Sequence, residues 1–368
     1  MIPLFEHYPT LAQKLPFVSL GQFPTPVEKL NRLGRELGLE QLYIKRDDKS
    51  GTPYGGNKVR KLEFLMGQAL KSHVKEILTF GCAGSNHALA TAVYAHRIGI
   101  RSISMLLPQP NALYVRHNLL FSYHCGAELH QQRTMISLII ATVHQLLRHC
   151  LKYGRFPQII PPGGSNALGG IGFVNAAFEL KAQIENGEIP EPDRIYVALG
   201  SMSTAVGLML GLKVLNLKSR VIPVRIVNRK IAHRKNVHRL FKKSNALLHS
   251  LDPCFPLCRL TRHDVQINHH FFGQQYALFT EKGMQAVALM QKFADLKLEG
   301  TYTGKTFAAL IQDARTQDLK NKVILFWNTY NSRDFSKIIA HLNYRKLPPG
   351  LHSYFTDPVQ PLDQILTQ

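Results

Sequence analysis

A repeating order of strand, turn and helix runs through the chain from residue 59 and limits the folds that it can adopt. Such alternation is typical of an α/β fold with open, mostly parallel twisted sheets and helices on both faces. These sheets bind ligands at the carboxyl ends of their strands, so we expect function in the loops that follow strands. The pattern predicts strands at 77–80, 102–107, 158–161, 194–198, 220–227 and 323–327, and helices at 59–72, 86–97, 113–124, 134–153, 172–186, 205–215 and 284–294.

The first 58 residues have a different character. Four prolines in residues 1–25 predict an irregular arm, and a helix over 26–37 with Gly38 as its stop precedes a strand at 41–45. Two prolines and two glycines at 161–164 mark a chain crossing. We therefore predict a large domain from residues 1–59 and 171–368, with a smaller inserted α/β domain at 60–170. Residues 340–368 form a proline-containing tail.

The charge of the chain is strongly basic. The 368 residues are 45% hydrophobic and carry a net charge of +21, and residues 213–243 hold eleven Lys or Arg and no Asp or Glu. A basic run of this kind can bind nucleic acid. Apolar residues typical of core positions interrupt it, and Phe241 is its only aromatic residue. A solvated basic face is therefore favoured over a nucleic-acid partner.

Five cysteines, an odd number, argue against a disulfide framework and favour a reducing cytoplasm, because no secretory leader is recognised. Cys254 and Cys258 lack a second pair with zinc spacing, so we expect ordinary thiols and no metal. The most apolar run, residues 136–143, is too short to span a membrane.

Lys58 is the first candidate for chemistry. Gly55, Gly56 and Asn57 precede it, and helical spacing begins at Val59, so the lysine lies where a loop becomes a helix. Glycines let the backbone approach a ligand, and a helix N-terminus favours an anion. A lysine at such a position is more often simply solvated.

Two other glycine turns also stand between a strand and a helix. In the first, Ser85 and Asn86 can present donors to a carboxylate or a ring oxygen, whereas His87 alone is more often structural. No nucleophile elbow accompanies Ser85, so a hydrolase is not indicated. The other turn, Gly200-Ser201-Met202-Ser203-Thr204, offers successive backbone NH groups and three hydroxyls. It suits a phosphate, although an ordinary capped helix has the same pattern.

A lysine, a phosphate turn and carboxylate donors together suit pyridoxal 5'-phosphate. This cofactor needs a lysine for its Schiff base, a helix N-terminus for its phosphate and a side chain that faces its pyridine nitrogen. No metal is required.

Several stretches, in order and spacing over residues 20–337, resemble the D-cysteine desulfhydrase and 1-aminocyclopropane-1-carboxylate deaminase family. This family belongs to the tryptophan-synthase-β-like class of pyridoxal-phosphate enzymes. The most specific stretch is the Gly-Gly-Asn-Lys-Val-Arg-Lys-Leu-Glu run at residues 55–63. The others are Lys45-Arg46-Asp47-Asp48, Ser85-Asn86-His87, Gly163-Gly164-Ser165-Asn166-Ala167-Leu168-Gly169, Gly200-Ser201 with Thr204, Tyr302-Thr303-Gly304-Lys305 and Thr329.

The resemblance implies a role for each matched position. Lys58 would form the internal aldimine and later move the substrate proton, and Asn86 would contact the ring hydroxyl of the cofactor. Ser85, Asn86 and His87 would receive the substrate carboxylate, and the turn from Gly200 to Thr204 would hold the phosphate. Tyr276 and Tyr302 would be the two active-site tyrosines. The resemblance also implies a homodimer.

Thr303 and Thr329 favour the desulfhydrase branch, which has Thr at both positions. The deaminase branch of the family has Glu at the position of Thr303 and Leu at the position of Thr329. The implied reaction is loss of hydrosulfide from D-cysteine, followed by hydrolysis to pyruvate and ammonia. Alternatives are deamination of aminocyclopropane carboxylate, or a cofactor-binding protein that has lost catalysis. The main departures from the family pattern are Met202 and Ser203 for two glycines, Glu299-Gly300-Thr301 for Asp-Pro-Val, and Tyr330-Asn331 for two glycines.

Overall fold

The computed structural model describes residues 2–364 and confirms the predicted α/β class with two mostly parallel sheets. Its helices and strands, in chain order, are α1 (Pro3–His7), α2 (Pro9–Lys14), β1 (Val27–Lys29), α3 (Asn31–Leu37), β2 (Gln41–Lys45), α4 (Lys58–Lys71), β3 (Glu76–Cys82), α5 (Asn86–Arg97), β4 (Arg101–Leu107), α6 (Leu113–His124), β5 (Glu128–Gln131), α7 (Met135–Tyr153), β6 (Gln158–Ile160), α8 (Ala167–Glu185), β7 (Arg194–Leu199), α9 (Ser203–Val214), β8 (Arg220–Arg225), α10 (Arg234–Leu251), α11 (Glu281–Ala294), α12 (Thr303–Thr316), β9 (Val323–Trp327), α13 (Ser336–Ile339), α14 (Ser353–Thr356) and α15 (Pro361–Gln364).

The chain divides into two compact units. The larger contains the chain up to Phe64 and Ser165–Ser332, and the smaller contains Leu65–Gly164 together with the described residues from Arg333 onward. The assignment of the tail to the large domain therefore needs correction. The tail is held within the smaller unit, where Arg116 Nε donates to the Tyr354 carbonyl at 2.7 Å and Leu113 N donates to Asp363 Oδ2 at 2.6 Å.

The larger unit is built on a five-stranded sheet in the order β1-β2-β9-β7-β8. All neighbouring strands are parallel except β1, which pairs antiparallel with β2. Every residue of β9 is buried, as expected for a central parallel strand covered on both faces. Helices α8 and α9 contribute apolar side chains to the core beside this sheet, including Phe173, Val206 and Leu210.

The smaller unit has a four-stranded parallel sheet in the order β5-β4-β3-β6. Leu78, Ile103, Met105 and Leu138 form an apolar cluster in this unit, to which β3, β4 and α7 contribute. Helix α5 begins directly after the glycine turn that follows β3, as the sequence predicts.

Some elements differ from the prediction. Val27–Lys29 is a strand and not the start of a helix, because it pairs with β2, with Val27 opposite Lys45. Helix α8 begins at residue 167 and not 172. Its glycines allow close packing, since a Cβ at Gly172 would lie 2.0 Å from the Arg60 carbonyl oxygen. Strand β5 and helices α10 and α12 were not predicted.

Among residues 2–364, no helix is both long and apolar enough to cross a bilayer, and no group of three or more His, Cys, Asp or Glu side chains is arranged to hold a metal ion. All five cysteines are free thiols.

Candidate active site

The turn before Lys58 depends on two glycines. A Cβ at Gly55 would lie 2.0 Å from the carbonyl oxygen of Asp48, and Gly56 has a φ of +88°. Side chains are excluded at the first position and strained at the second. These two residues allow β2 and its following turn to pack directly against the start of α4, where Lys58 is the first residue.

Hydrogen bonds join this turn to two others at the carboxyl edge of the larger sheet. Asn57 N donates to the Thr329 carbonyl at 3.2 Å, and Asn57 Nδ2 donates to Thr204 Oγ1 at 3.0 Å. Gly55 N donates to Asn331 Oδ1 at 2.7 Å, so Asn331, one of the departures from the family pattern, holds the same turn. The loops after β2, β9 and β7 therefore meet beside Lys58, as expected where parallel strands end together.

Lys58 is partly buried, and this burial lowers the pKa of its amine to about 8 even though the Glu299 carboxylate acts in the opposite direction. Within the described part of the chain, its Nζ makes no hydrogen bond or ion pair. A substantial fraction of the amine is therefore neutral in mildly alkaline solution. A neutral amine is the form that attacks an aldehyde carbon.

The turn after β7 leads into α9. Met202 has a φ of +77°, and Ser203 is the first helical residue. Ser203 N donates to Ser165 Oγ at 3.2 Å, while the fully buried Ser203 hydroxyl has no hydrogen-bond partner among residues 2–364. A buried hydroxyl without a partner is costly in a folded protein, so the Ser203 hydroxyl is available to a bound group or a water molecule. Backbone NH groups and hydroxyls at a helix start suit a phosphate.

Glu299 organises the start of α12. Its buried carboxylate accepts hydrogen bonds from the backbone NH groups of Thr301 at 2.7 Å, Tyr302 at 2.7 Å and Thr303 at 2.8 Å. Burial raises the pKa of Glu299, and these hydrogen bonds oppose that effect. In return, Glu299 N donates to Thr303 Oγ1 at 2.9 Å. The position of the Thr303 hydroxyl is therefore fixed by the loop that precedes its helix.

Tyr276 and Tyr302 are hydrogen-bonded to each other through their hydroxyl groups. Their rings form an edge-to-face pair with centroids 6.2 Å apart. The Tyr302 ring also lies beside the β7 turn, since a Cβ at Gly200 would be 3.5 Å from Tyr302 Cε1. The pair therefore lies close to the turn that suits a phosphate.

A buried ion-pair network holds α4 in place. Arg60 Nη2 lies 2.7 Å from Asp47 Oδ1, and Arg60 Nη1 lies 2.8 Å from Glu179 Oε2. Burial alone would raise the pKa of Glu179, but the charges of Arg60 and Lys45 outweigh it and hold the pKa at about 2. This network fixes the first turn of α4, which carries Lys58, against β2 and α8.

The remaining predicted site residues belong to the smaller unit. Ser85 caps α5 by accepting a hydrogen bond from Ala88 N at 3.1 Å. Asn118 Nδ2 donates to Asn86 Oδ1 at 2.9 Å, so the Asn86 side chain is held in place. His87 is buried in the first turn of the same helix. The turn that contains Ser85 and Asn86 is therefore joined firmly to the start of α5.

Within the larger unit, the structure brings together Lys58, Thr303, Thr329, both tyrosines and the turn of Gly200, Ser201, Met202, Ser203 and Thr204. Sequence reasoning missed the roles of Asn57, Glu299 and the Arg60 network. Glu299 was noted only as a departure from the family pattern. Its one signal was an acidic residue in the loop immediately before a helix start, which favours capping.

Residues 18–329 match the family model described as pyridoxal-phosphate dependent enzyme. The chain belongs to this family. The predicted cofactor and the prediction of an enzyme are thereby confirmed, and the residues fit the cofactor because they offer a lysine amine with a lowered pKa and a helix start with a free buried hydroxyl.

The alignments with individual relatives extend over most of this pyridoxal-phosphate enzyme. A D-cysteine desulfhydrase from Yersinia pestis is 33% identical over 335 residues, which cover 87% of this chain and 96% of the relative. A Pyrococcus horikoshii protein with the provisional name 1-aminocyclopropane-1-carboxylate deaminase is 31% identical over 315 residues, 85% of this chain and 91% of that protein. The crystal structure of an ACC deaminase homologue superposes with a TM-score of 0.76 and 28% identity, over 90% of this chain and 98% of that one.

Proposed function

We propose that this enzyme is a carbon–sulfur lyase that converts D-cysteine and water into pyruvate, ammonia and hydrogen sulfide. The observation that carries the proposal is Thr303. A hydroxyl fixed by Glu299 N stands at the start of α12, where the deaminase branch has a carboxylate. Breaking a carbon–sulfur bond requires a weaker electron sink than opening a cyclopropane ring, because hydrosulfide is a good leaving group. The 33% identity to a D-cysteine desulfhydrase supports the same choice.

Our proposal assigns a residue or turn to each functional group of the cofactor. Lys58 would bind its aldehyde carbon, the turn from Gly200 to Thr204 would hold its phosphate, and Asn86 would contact its ring hydroxyl. Thr303 and Thr329 would face its pyridine nitrogen. When bound, pyridoxal phosphate withdraws electrons from the substrate Cα and so makes the Cα proton acidic.

The protein residues then move protons and position the substrate. Lys58, whose pKa is about 8, takes the Cα proton and is matched to this task near neutral pH. Ser85, Asn86 and His87 bind the substrate carboxylate. The hydrogen-bonded hydroxyl groups of Tyr276 and Tyr302 donate a proton to the departing sulfur.

We further propose that the enzyme works as a homodimer in the cytoplasm. Five free thiols with no disulfide among them support a reducing compartment. Nucleic acid is not a proposed partner, because the apolar residues of the basic segment, such as Val221, Val224 and Phe241, are buried in the core.

The test incubates the purified holoenzyme with D-cysteine and measures pyruvate and sulfide in equal amounts. Lys58→Ala should lose both products and the visible absorbance of the lysine-bound cofactor. Lys305→Ala is a useful comparison, because the pKa of Lys305 is also lowered to about 8 but its Nζ donates to the Phe272 carbonyl at 2.7 Å. Lys305→Ala should keep the absorbance band of the lysine-bound cofactor.

A second candidate is deamination of 1-aminocyclopropane-1-carboxylate, which the Pyrococcus relative and the neighbouring crystal structure favour. Formation of 2-oxobutyrate and ammonia from that substrate, without pyruvate from D-cysteine, would establish it and reject the lyase. Absorbance without turnover of either substrate would identify a protein that binds the cofactor and has lost catalysis.

A further inference from the structure

Helix α7 of the smaller unit turns few apolar side chains toward the interior. Its buried residues are Leu138, Gln145 and His149, so two of the three are polar. His149 Nδ1 donates to Glu76 Oε2 at 2.7 Å, and Gln145 Nε2 lies 3.2 Å from His130 Nε2. A helix that lies at the surface of a soluble protein normally turns its apolar side inward.

The opposite side of α7 is an exposed apolar stripe. Its members are Ile136, Ile139, Ile140, Val143, Leu147 and Leu151, with exposed fractions between 49% for Val143 and 89% for Leu151. At 100° per residue they lie on one side of the helix, over a length of roughly 22 Å. Together they expose roughly 700 Å², more than the largest apolar patch of a typical monomer.

We propose that this stripe is the surface through which two copies of the chain pair. This proposal locates the interface of the homodimer proposed above, and it does not depend on which reaction the enzyme catalyses. The exposed area is close to the 800 Å² or so that each partner contributes to a standard interface. A two-fold axis near Val143 would place Ile140 of each copy against Leu147 of the other in an antiparallel helix pair, so the stripe is complementary to itself.

The composition of the stripe favours a second copy over a membrane surface. The net charge of +21 opposes the association of two copies at long range, so a face through which they pair must itself carry little charge. The stripe has that property, because the charged residues of α7 are Arg148, which pairs with Glu128 Oε2 at 3.0 Å, and Lys152. A membrane-surface helix would need basic residues along its whole length. The first three turns of α7 have none.

The experiment measures the mass of the holoenzyme by sedimentation at micromolar concentration. The wild-type protein should sediment at twice the 41.6 kDa chain mass. Ile140→Glu should sediment as a single chain, with a dissociation constant raised at least about 100-fold, because two carboxylates would be buried without partners. Leu147→Glu should act in the same way.

A matched control is available in the larger unit. Leu257 is 65% exposed, as is Ile140, so Leu257→Glu makes the same chemical change at equal exposure. It should leave the dimer intact, and all three variants should keep the cofactor absorbance and thermal midpoint of the wild type. Higher salt should strengthen the wild-type dimer, since it screens the repulsion between the two basic copies.

Three outcomes would overturn the proposal. A wild-type dimer that Ile140→Glu does not weaken would place the interface on another face while leaving the homodimer itself. A wild-type protein that sediments with the mass of a single chain would reject both the proposed interface and the homodimer. A single chain that pellets with phosphatidylserine vesicles, and fails to do so after Ile140→Glu, would assign the stripe to a lipid surface.

Discussion

Asn57 Nδ2 donates a hydrogen bond of 3.0 Å to Thr204 Oγ1. This bond links the residue immediately before Lys58 to the first turn of α9. The proposed attachment point of the cofactor and its proposed phosphate turn are distant in sequence but are held in register by one buried side chain. A rigid spacing between the two is what a cofactor bound at both ends requires.

Removal of this bond should weaken cofactor binding. Asn57→Ala loses one hydrogen bond and leaves Thr204 Oγ1 with one partner fewer, so the dissociation constant for pyridoxal phosphate should rise about 5- to 10-fold, corresponding to about 1 kcal/mol. Titration of the apoenzyme with pyridoxal phosphate, followed by absorbance, measures this dissociation constant. Asn236→Ala is the control, because that amide also donates one hydrogen bond, to the Ile231 carbonyl, and accepts one from Arg239, but it lies outside the turns beside Lys58. An unchanged affinity in Asn57→Ala would show that the turns keep their spacing without this bond.

The rate of cofactor attachment should depend on pH through Lys58. Only the neutral amine bonds the aldehyde, and burial lowers the pKa of Lys58 to about 8. The rate should therefore rise with pH up to about 8 and level off above it. Stopped-flow mixing of apoenzyme with pyridoxal phosphate, followed by visible absorbance, gives this profile. A rate that still rises steeply toward the ordinary lysine pKa of about 10.4 would contradict the buried environment.

The parts of the fold that the sequence predicted are those with local signals. Alternating apolar strands and amphipathic helices fixed most element positions, and the predicted bounds of β2, α5, α6 and β9 agree with the structure. Lys58 could be singled out because two adjacent glycines before a helix start are a local pattern. The turns at Ser85 and Gly200 were found for the same reason.

The parts that were missed depend on tertiary contacts. Strand β1 forms only because β2 offers it a partner, and the tail joins the smaller unit through hydrogen bonds to α6. Glu299 is an exception, because its contacts with three backbone NH groups are local; its role was missed because helix α12 was itself not predicted. The partners of Arg60 are 13 and 119 residues away, so the network that holds α4 leaves no local pattern.

Met202 has a positive φ of +77° in the proposed phosphate turn. Branching at Cβ makes such a conformation more costly, so Met202→Val should lower stability by about 1–3 kcal/mol and reduce cofactor content. Met202→Leu keeps an unbranched Cβ and a similar volume and serves as the control. Thermal unfolding of the apoenzyme and absorbance of the holoenzyme are the measurements. Equal midpoints for the two variants would show that the turn relaxes to another conformation.

Glu179 should contribute to stability above its unfolded pKa. The ion pairs hold its pKa at about 2 in the folded protein, against an ordinary value of 4.5. Its contribution of about 3 kcal/mol should therefore be lost as the pH falls from about 4.5 toward 2. Glu179→Gln should be less stable than the wild type at pH 7, and its free energy of unfolding should fall less than that of the wild type on acidification. Glu185→Gln, at the exposed end of the same helix, should behave like the wild type in urea unfolding at both pH values.

Tyr354 in the tail is linked to the turn that contains Ser85 and Asn86. Gln109 N donates to Tyr354 Oη at 3.0 Å, and Tyr354 Oη lies 3.2 Å from the Gln109 carbonyl oxygen. Gln109 Oε1 in turn accepts from Gly84 N at 2.9 Å. The tail therefore helps to position the turn that we assign to the substrate carboxylate.

Tyr354→Phe should loosen this turn without removing any group that touches the substrate. We expect KM for D-cysteine to rise about 5-fold, in line with the loss of one or two hydrogen bonds, with little change in kcat. Tyr344→Phe is the control, because Tyr344 lies on the same tail and stacks on Phe355. If Tyr354→Phe changes only the thermal midpoint and leaves KM at the wild-type value, the tail stabilises the unit but does not position the turn.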